Sequence, residues 1–285
     1  MRLRDLVVVL DDSPRASVQL AMAMELARRY DAHLSGICPL DLLLPSDIGV
    51  LLGGYPDALA MQYVTEQMDA QSREKADAIE ARFREQLRVN EVRGDWQAER
   101  GIVGDVVSTR LRTADLAVIG QPDPNASQSV MSRYLLEDVL LLAGRPVLAV
   151  PYAGSFNAEF RTVMVAWTDS REAARALNDA LPLLHGASNV TVLTVQRARA
   201  AEVEDLPGAD AAEHLARHGI TATAARTVLD GGVSEADAIL NYAADISADL
   251  IVSGCYGHSR ARELILGGVS RGLLEHMTVP ILMSH

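Results

Sequence analysis

Lysine is almost missing from this chain of 285 residues: Lys75 is the only one. A phosphate-binding loop of the Walker type needs a lysine inside its glycine run, and Lys75 sits instead in the charged stretch EQMDAQSREKADAIEARFREQ, which reads as a helix, so that class of nucleotide site is excluded. Cysteine is equally sparse. Cys38 and Cys255 rule out a disulfide framework, and this usage fits a reducing cytosol. Excess positive charge is absent too. The net charge is −12, shared as −6 on each side of residue 155, so neither a basic nucleic-acid face nor a charged tail is expected. Long apolar runs are also lacking. The opening stretch MRLRDLVVVLDDSP carries an apolar run too short for a signal-peptide core or a membrane span. Apolar residues nevertheless make up 49% of the chain and charged residues 22%, the balance of a soluble protein with a true core.

The sequence is written twice. LVVVLDDSPRASVQLAMAMELA at 6–27 is echoed by VMVAWTDSREAARALNDALPLL at 163–184, which sets Ser13 against Ser170 at an offset of 157. ADLAVIG at 114–120 is echoed by ADLIVSG at 248–254, and RPVLAVP at 145–151 by VPILMSH at 279–285, both at an offset of 134. The two offsets differ by 23, so the first copy should carry about 23 additional residues, expected near 40–95. The copies are read as residues 1–152 and 160–285, joined by PYAGSFNAEF at 151–160.

Apolar strand-like runs alternate with helical patterns in both copies. In the second they predict strands at 162–167, 189–195, 221–228, 249–253 and 279–283, with helices at 170–185, 209–218, 233–246 and 268–276. Continuously apolar strands separated by helices imply an α/β fold: two tandem Rossmann-like domains, each a five-stranded parallel sheet with helices on both faces. Such sheets hold ligands at the carboxyl ends of their strands, where strand order reverses.

At one such edge lies GCYGHSRARELILGGVS, 254–270. Gly254 closes a strand and Gly257 follows two residues on, which lets backbone come close to a ligand. Gly267 and Gly268 precede a helix whose first N–H groups and dipole favour an anion, with Ser270 as a hydroxyl donor and Arg260 and Arg262 nearby. Read blandly, the same glycines make a turn and cap a helix.

The spacing Gly-x2-Gly-x9-Gly before a helix, with VMVAWTDSREAARAL upstream, resembles the signature of the universal stress proteins. The resemblance spans the second half and extends more weakly to the first. It implies a protein of stress response or signalling, and an adenine nucleotide (ATP, ADP or AMP, with or without Mg2+) as ligand. With no P-loop lysine and no positioned general base in the sequence, the protein is expected to be cytoplasmic and not an enzyme, with any hydrolysis slow and incidental. Carried over by position, the strand-end contacts fall at Ala166, Thr168 and Val195, and the phosphate contacts at Gly254, Gly257, Gly267, Gly268, Val269 and Ser270. In two places the chain departs from the pattern. Gly268 stands where a hydroxyl residue is usual, and Thr168-Asp169-Ser170 stands for Asp-Gly-Ser, displacing the expected carboxylate. The family's paired subunits further imply that the two final strands meet inside this chain as a pseudo-dimer, and a homodimer is also open.

The first half keeps Asp11 and Ser13 but not the loop. QPDPNASQSVMSRYLLEDVLLLAG follows Gly120, with Asp123 in place of glycine and Pro122 and Pro124 removing N–H donors. This half is therefore expected not to hold ATP in the same way, and to act as a packing partner or to hold another ligand beneath the apolar stretch LLLPSDIGVLLGGYPDALAM, read as a lid or interface. Other readings remain open: a non-nucleotide interaction module, or an enzyme on the same fold, for which no positioned general base is found. His214 and His218 have a metal spacing but lack a third ligand. Asp11, Asp12 and Asp169 are the carboxylates placed for a cation accompanying a nucleotide, and His258 could touch phosphate. Ser13 and Ser170 read as helix N-caps, Cys255 as a buried filler, and Trp96 and Trp167 as core or groove wall.

Overall fold

The computed structural model describes residues 2–41, 58–123, 135–197, 207–229, 231–255 and 268–285. The first half runs β1 (Asp5–Val9), α1 (Ala16–Tyr30), β2 (His33–Asp41), α2 (Ala58–Asn90), β3 (Gly94–Gly101), α3 (Val103–Leu111), β4 (Leu116–Gly120), α4 (Leu135–Leu142) and β5 (Val147–Val150). The second runs β6 (Thr162–Ala166), α5 (Arg171–Leu184), β7 (Asn189–Arg197), α6 (Ala209–Arg217), β8 (Ala222–Leu229), α7 (Glu235–Asp245), β9 (Leu250–Gly254), α8 (Gly268–His276) and β10 (Ile281–Ser284).

All ten strands form one sheet in the order β3-β2-β1-β4-β5-β10-β9-β6-β7-β8. Each half is parallel throughout and repeats the order 3-2-1-4-5, with its reversal at β1/β4 or β6/β9. The halves meet where β10 pairs with β5 antiparallel, Ile281 opposite Ala149 and Met283 opposite Val147. Both strands are buried along their whole length, as the valine- and leucine-rich runs require.

The register explains the two repeat offsets. Leu6 pairs with Leu116 and Val163 with Leu250, which preserves the offsets of 157 and 134. Leu34 and Val190 stand 156 apart, but their partners Gly94 and Ala222 only 128 apart. The first half therefore has 28 extra residues between β2 and β3, and the second has six between β8 and β9.

Strand side chains alternate between two continuous apolar layers that run through both halves. Leu6 and Val8 point to the layer under α1, α2, α5 and α6; Val7 and Val9 to the layer under α3, α4, α7 and α8. The long helix α2 docks by Ala76, Ile79, Phe83 and Leu87, buried at helical spacing. Phe83 and Trp96 meet with ring centroids 5.5 Å apart over Gly36, where a Cβ would lie 2.9 Å from the Phe83 ring. No helix among the described residues is long and apolar enough to cross a membrane. Of the stretch read as a lid or interface, 42–61, residues 42–57 lie outside the described residues and 58–61 open α2.

Candidate functional site

In the second half, Ala166 ends β6 between Leu193 on β7 and Ser253 on β9, and is buried. Thr168 follows it, exposed, with its Oγ1 3.1 Å from the Ser170 hydroxyl. Val195 lies half-buried on β7 and packs into the layer beneath α7. Gly254 ends β9. A side chain there would meet the backbone of Glu172 and Ala173 at 2.5 Å, so glycine is needed to let the start of α5 settle against the strand. Gly268 opens α8, exposed and, among the described residues, with nothing within 4 Å of a would-be Cβ; Val269 is half-buried and Ser270 is buried. Because β9 and β10 are parallel, α8 returns antiparallel to them and its N-terminus stands at the carboxyl edge of the sheet. Gly257, Gly267, His258, Arg260 and Arg262 fall in 256–267, outside the described residues.

Residues that the sequence reading passed over flank Val195. Thr194 Oγ1 and Gln196 Oε1, on the opposite face of β7, are buried without a hydrogen-bond partner, as is Nε2 of His214 on α6. At Gly208, φ +86°, just before α6, a Cβ would lie 3.4 Å from Thr194 Oγ1 and 3.5 Å from Trp167. Their signal was faint: two polar side chains at alternate positions of a strand whose neighbours are apolar. Trp167 itself follows β6 rather than lying in it.

His214 and His218 do come together, ring centroids 4.7 Å apart, but no group of three metal-ligating residues occurs among the described residues. Cys255 is buried and donates its S–H to the Ser284 carbonyl at 3.3 Å. Burial, and then the charge of Glu172, hold its thiol far above the usual range, the opposite of what a reactive thiolate needs. Ser170 caps α5, its hydroxyl accepting the Ala173 N–H at 3.1 Å. Ser13 does not cap α1. Its own N–H is bound by Asp11 Oδ1 at 3.0 Å, a turn over 13–16 intervenes, and the helix starts at Ala16.

In the first half, a cavity of about 400 Å³ opens at the ends of β1, β2 and β4. Apolar residues such as Val9, Ile79, Val103 and Ile119 form its floor, and Asp11, Asp12, Asp123, Gln19 and Lys75 line it. Lys75, reaching across from α2, pairs with Asp12 at 2.7 Å; that hydrogen bond and the aspartate's charge hold its ammonium above its ordinary value. Gln121, which also lines the cavity, is buried and donates to the Leu274 and Glu275 carbonyls of α8.

Residues 159–285 match the family model described as the universal stress protein family. The second half of the chain is therefore a universal stress protein domain. A universal stress protein structure from Archaeoglobus fulgidus DSM 4304 has 17% identity and a TM-score of 0.71 over 98% of this chain and 97% of its own. A functionally unknown protein from Pseudomonas aeruginosa PAO1 has 12% identity and a TM-score of 0.62 over 99% of this chain and 92% of its own. At these identities the likeness is one of fold, and it covers both halves of the chain. No curated protein matches the chain in sequence.

Proposed function

We propose that the second half binds an adenine nucleotide (ATP, ADP or AMP, alone or with Mg2+) and that occupancy serves stress response or signalling in the cytoplasm. The observation that carries this reading is the open start of α8. Gly268 is exposed and unobstructed at the carboxyl edge of the sheet, where the leading N–H groups and dipole of a nine-residue helix favour an anion. Support for the nucleoside comes from β7, where Thr194 and Gln196 hold buried hydrogen-bonding atoms in want of a partner. Ala166, Thr168 and Val195 would border the base and ribose, and Gly254, Gly257, Gly267, Gly268, Val269 and Ser270 the phosphates. In this proposal the protein is a binder, not an enzyme: the glycine stretch holds no lysine, so any hydrolysis is incidental. The two halves act together as a pseudo-dimer built on β5 and β10.

Calorimetric titration with ATP, ADP and AMP tests this. One saturable site per chain, abolished by Gly257→Glu in a variant that melts like the parent, is the expected result. A folded chain giving no saturable heat with any of the three would overturn it and leave a nucleotide-free interaction module.

A further inference from the structure

We infer that the cavity of the first half is a second, chemically distinct ligand site, one that takes a small organic amine with an apolar body. The carrying observation is Gln19. It occupies the apolar stripe of α1, flanked there by Ala16, Leu20 and Ala23, and is 6% exposed, yet its carboxamide makes no hydrogen bond among the described residues and lines the cavity. A polar group in so apolar a setting, facing a cavity and without a protein partner among the described residues, is a recognition point for a ligand. The carboxamide is also held in place: a Cβ on Gly120 would come within 1.7 Å of Nε2, so glycine at the end of β4 keeps that space for Gln19.

Charge decides the ligand class. Asp12 is paired with Lys75, and Arg15 donates through Nη2 to the backbone carbonyls of Gly154 at 2.7 Å and Pro151 at 3.3 Å, while its buried Nε has no partner among the described residues. Asp11 accepts one backbone N–H, from Ser13, and has no cationic partner among the described residues. The repeat offsets and strand register set Asp11 against Thr168, Asp123 against Gly257 and Gln19 against Ala176. The first half has thus put carboxylates where the second has a hydroxyl and a glycine. Phosphate would be repelled by Asp11, whereas an ammonium group gains the Asp11 carboxylate and can donate to Gln19 Oε1. The apolar floor accepts the rest of the molecule, and about 400 Å³ lies in the range that holds a compact organic ligand.

The test is titration of the full chain with phenethylamine and n-pentylamine, against phenethyl alcohol, n-pentanol, inorganic phosphate and ATP. Saturable binding of the amines but not the alcohols is expected, weakened about tenfold or more by Asp11→Asn, an exposed change that leaves folding intact. Gln19→Leu, which keeps the volume and removes the amide, should weaken it similarly, while Gly257→Glu should leave it untouched. Loss of amine binding in Gly257→Glu, equal binding of amine and alcohol, or no amine binding by a folded chain would each overturn the proposal. So would phosphate or ATP binding that survives Gly257→Glu and vanishes in Gln19→Leu. Because the nucleotide reading concerns the second half, either can fail without the other.

Discussion

Gln121, at the end of β4, caps the last turn of α8 in the other half of the chain: its Nε2 donates to the Leu274 carbonyl at 2.7 Å and to that of Glu275 at 3.1 Å. Those carbonyls belong to the terminal turn of a helix, which lacks intrahelical donors. The Gln121 Oε1 meanwhile accepts the Tyr152 N–H at 3.0 Å, so one buried carboxamide joins a strand, the connecting segment and a distant helix. Gln121→Leu leaves these buried groups unpaired and should cost about 2 kcal/mol in chemical denaturation, with a single cooperative transition retained.

The two glycines at the strand end and the helix start should respond in opposite ways. Gly254→Ala drives a methyl into the backbone of Glu172 and Ala173 and is expected to destabilise by about 1–3 kcal/mol. Gly268→Ala meets open space, so thermal melting should stay within a degree or two of the parent or rise slightly, as helix propensity favours alanine.

The corresponding serines are likewise unequal. Ser170→Ala removes a cap and should cost about 1 kcal/mol. Ser13→Ala removes a hydroxyl that caps nothing and should change the melting midpoint far less.

Asp138 on α4 is held above its ordinary carboxyl value by burial first and by the charge of Asp105 on α3 second. Its ionised form is therefore disfavoured in the folded state relative to the unfolded one. The associated stability is fully present below the unfolded value of 3.8 and declines as pH rises through the higher folded value. Asp138→Asn should raise the melting temperature at pH 7, and the gain should shrink towards pH 4. A gain that instead grows on acidification would contradict this assignment.

The second half is readable from its sequence to within one or two residues at most strand and helix ends, because each strand is a short apolar run and each helix an apolar stripe. Ser234 illustrates why: its hydroxyl accepts the Asp237 N–H at 3.1 Å, a local signal that fixes the start of α7. Distance in sequence is what hides the rest. Gln19 reads only as one polar residue in an apolar helix, and its meaning depends on Gly120, about a hundred residues away. Nothing in RPVLAVP or VPILMSH specifies that β5 and β10 run antiparallel, since identical apolar runs suit either direction. Ser13 fails as a cap because Asp11, two residues earlier, captures its N–H, a competition between two short polar side chains that composition does not rank.

The central β5–β10 seam has a further consequence. Each half taken alone would present a bare, largely apolar margin of four residues with unpaired peptide groups, an invitation to stick to any similar strand. Proteolytic cleavage between Gly154 and Asn157 should therefore leave two fragments that travel together through gel filtration, and fragments produced separately should seek each other out or, failing that, clump.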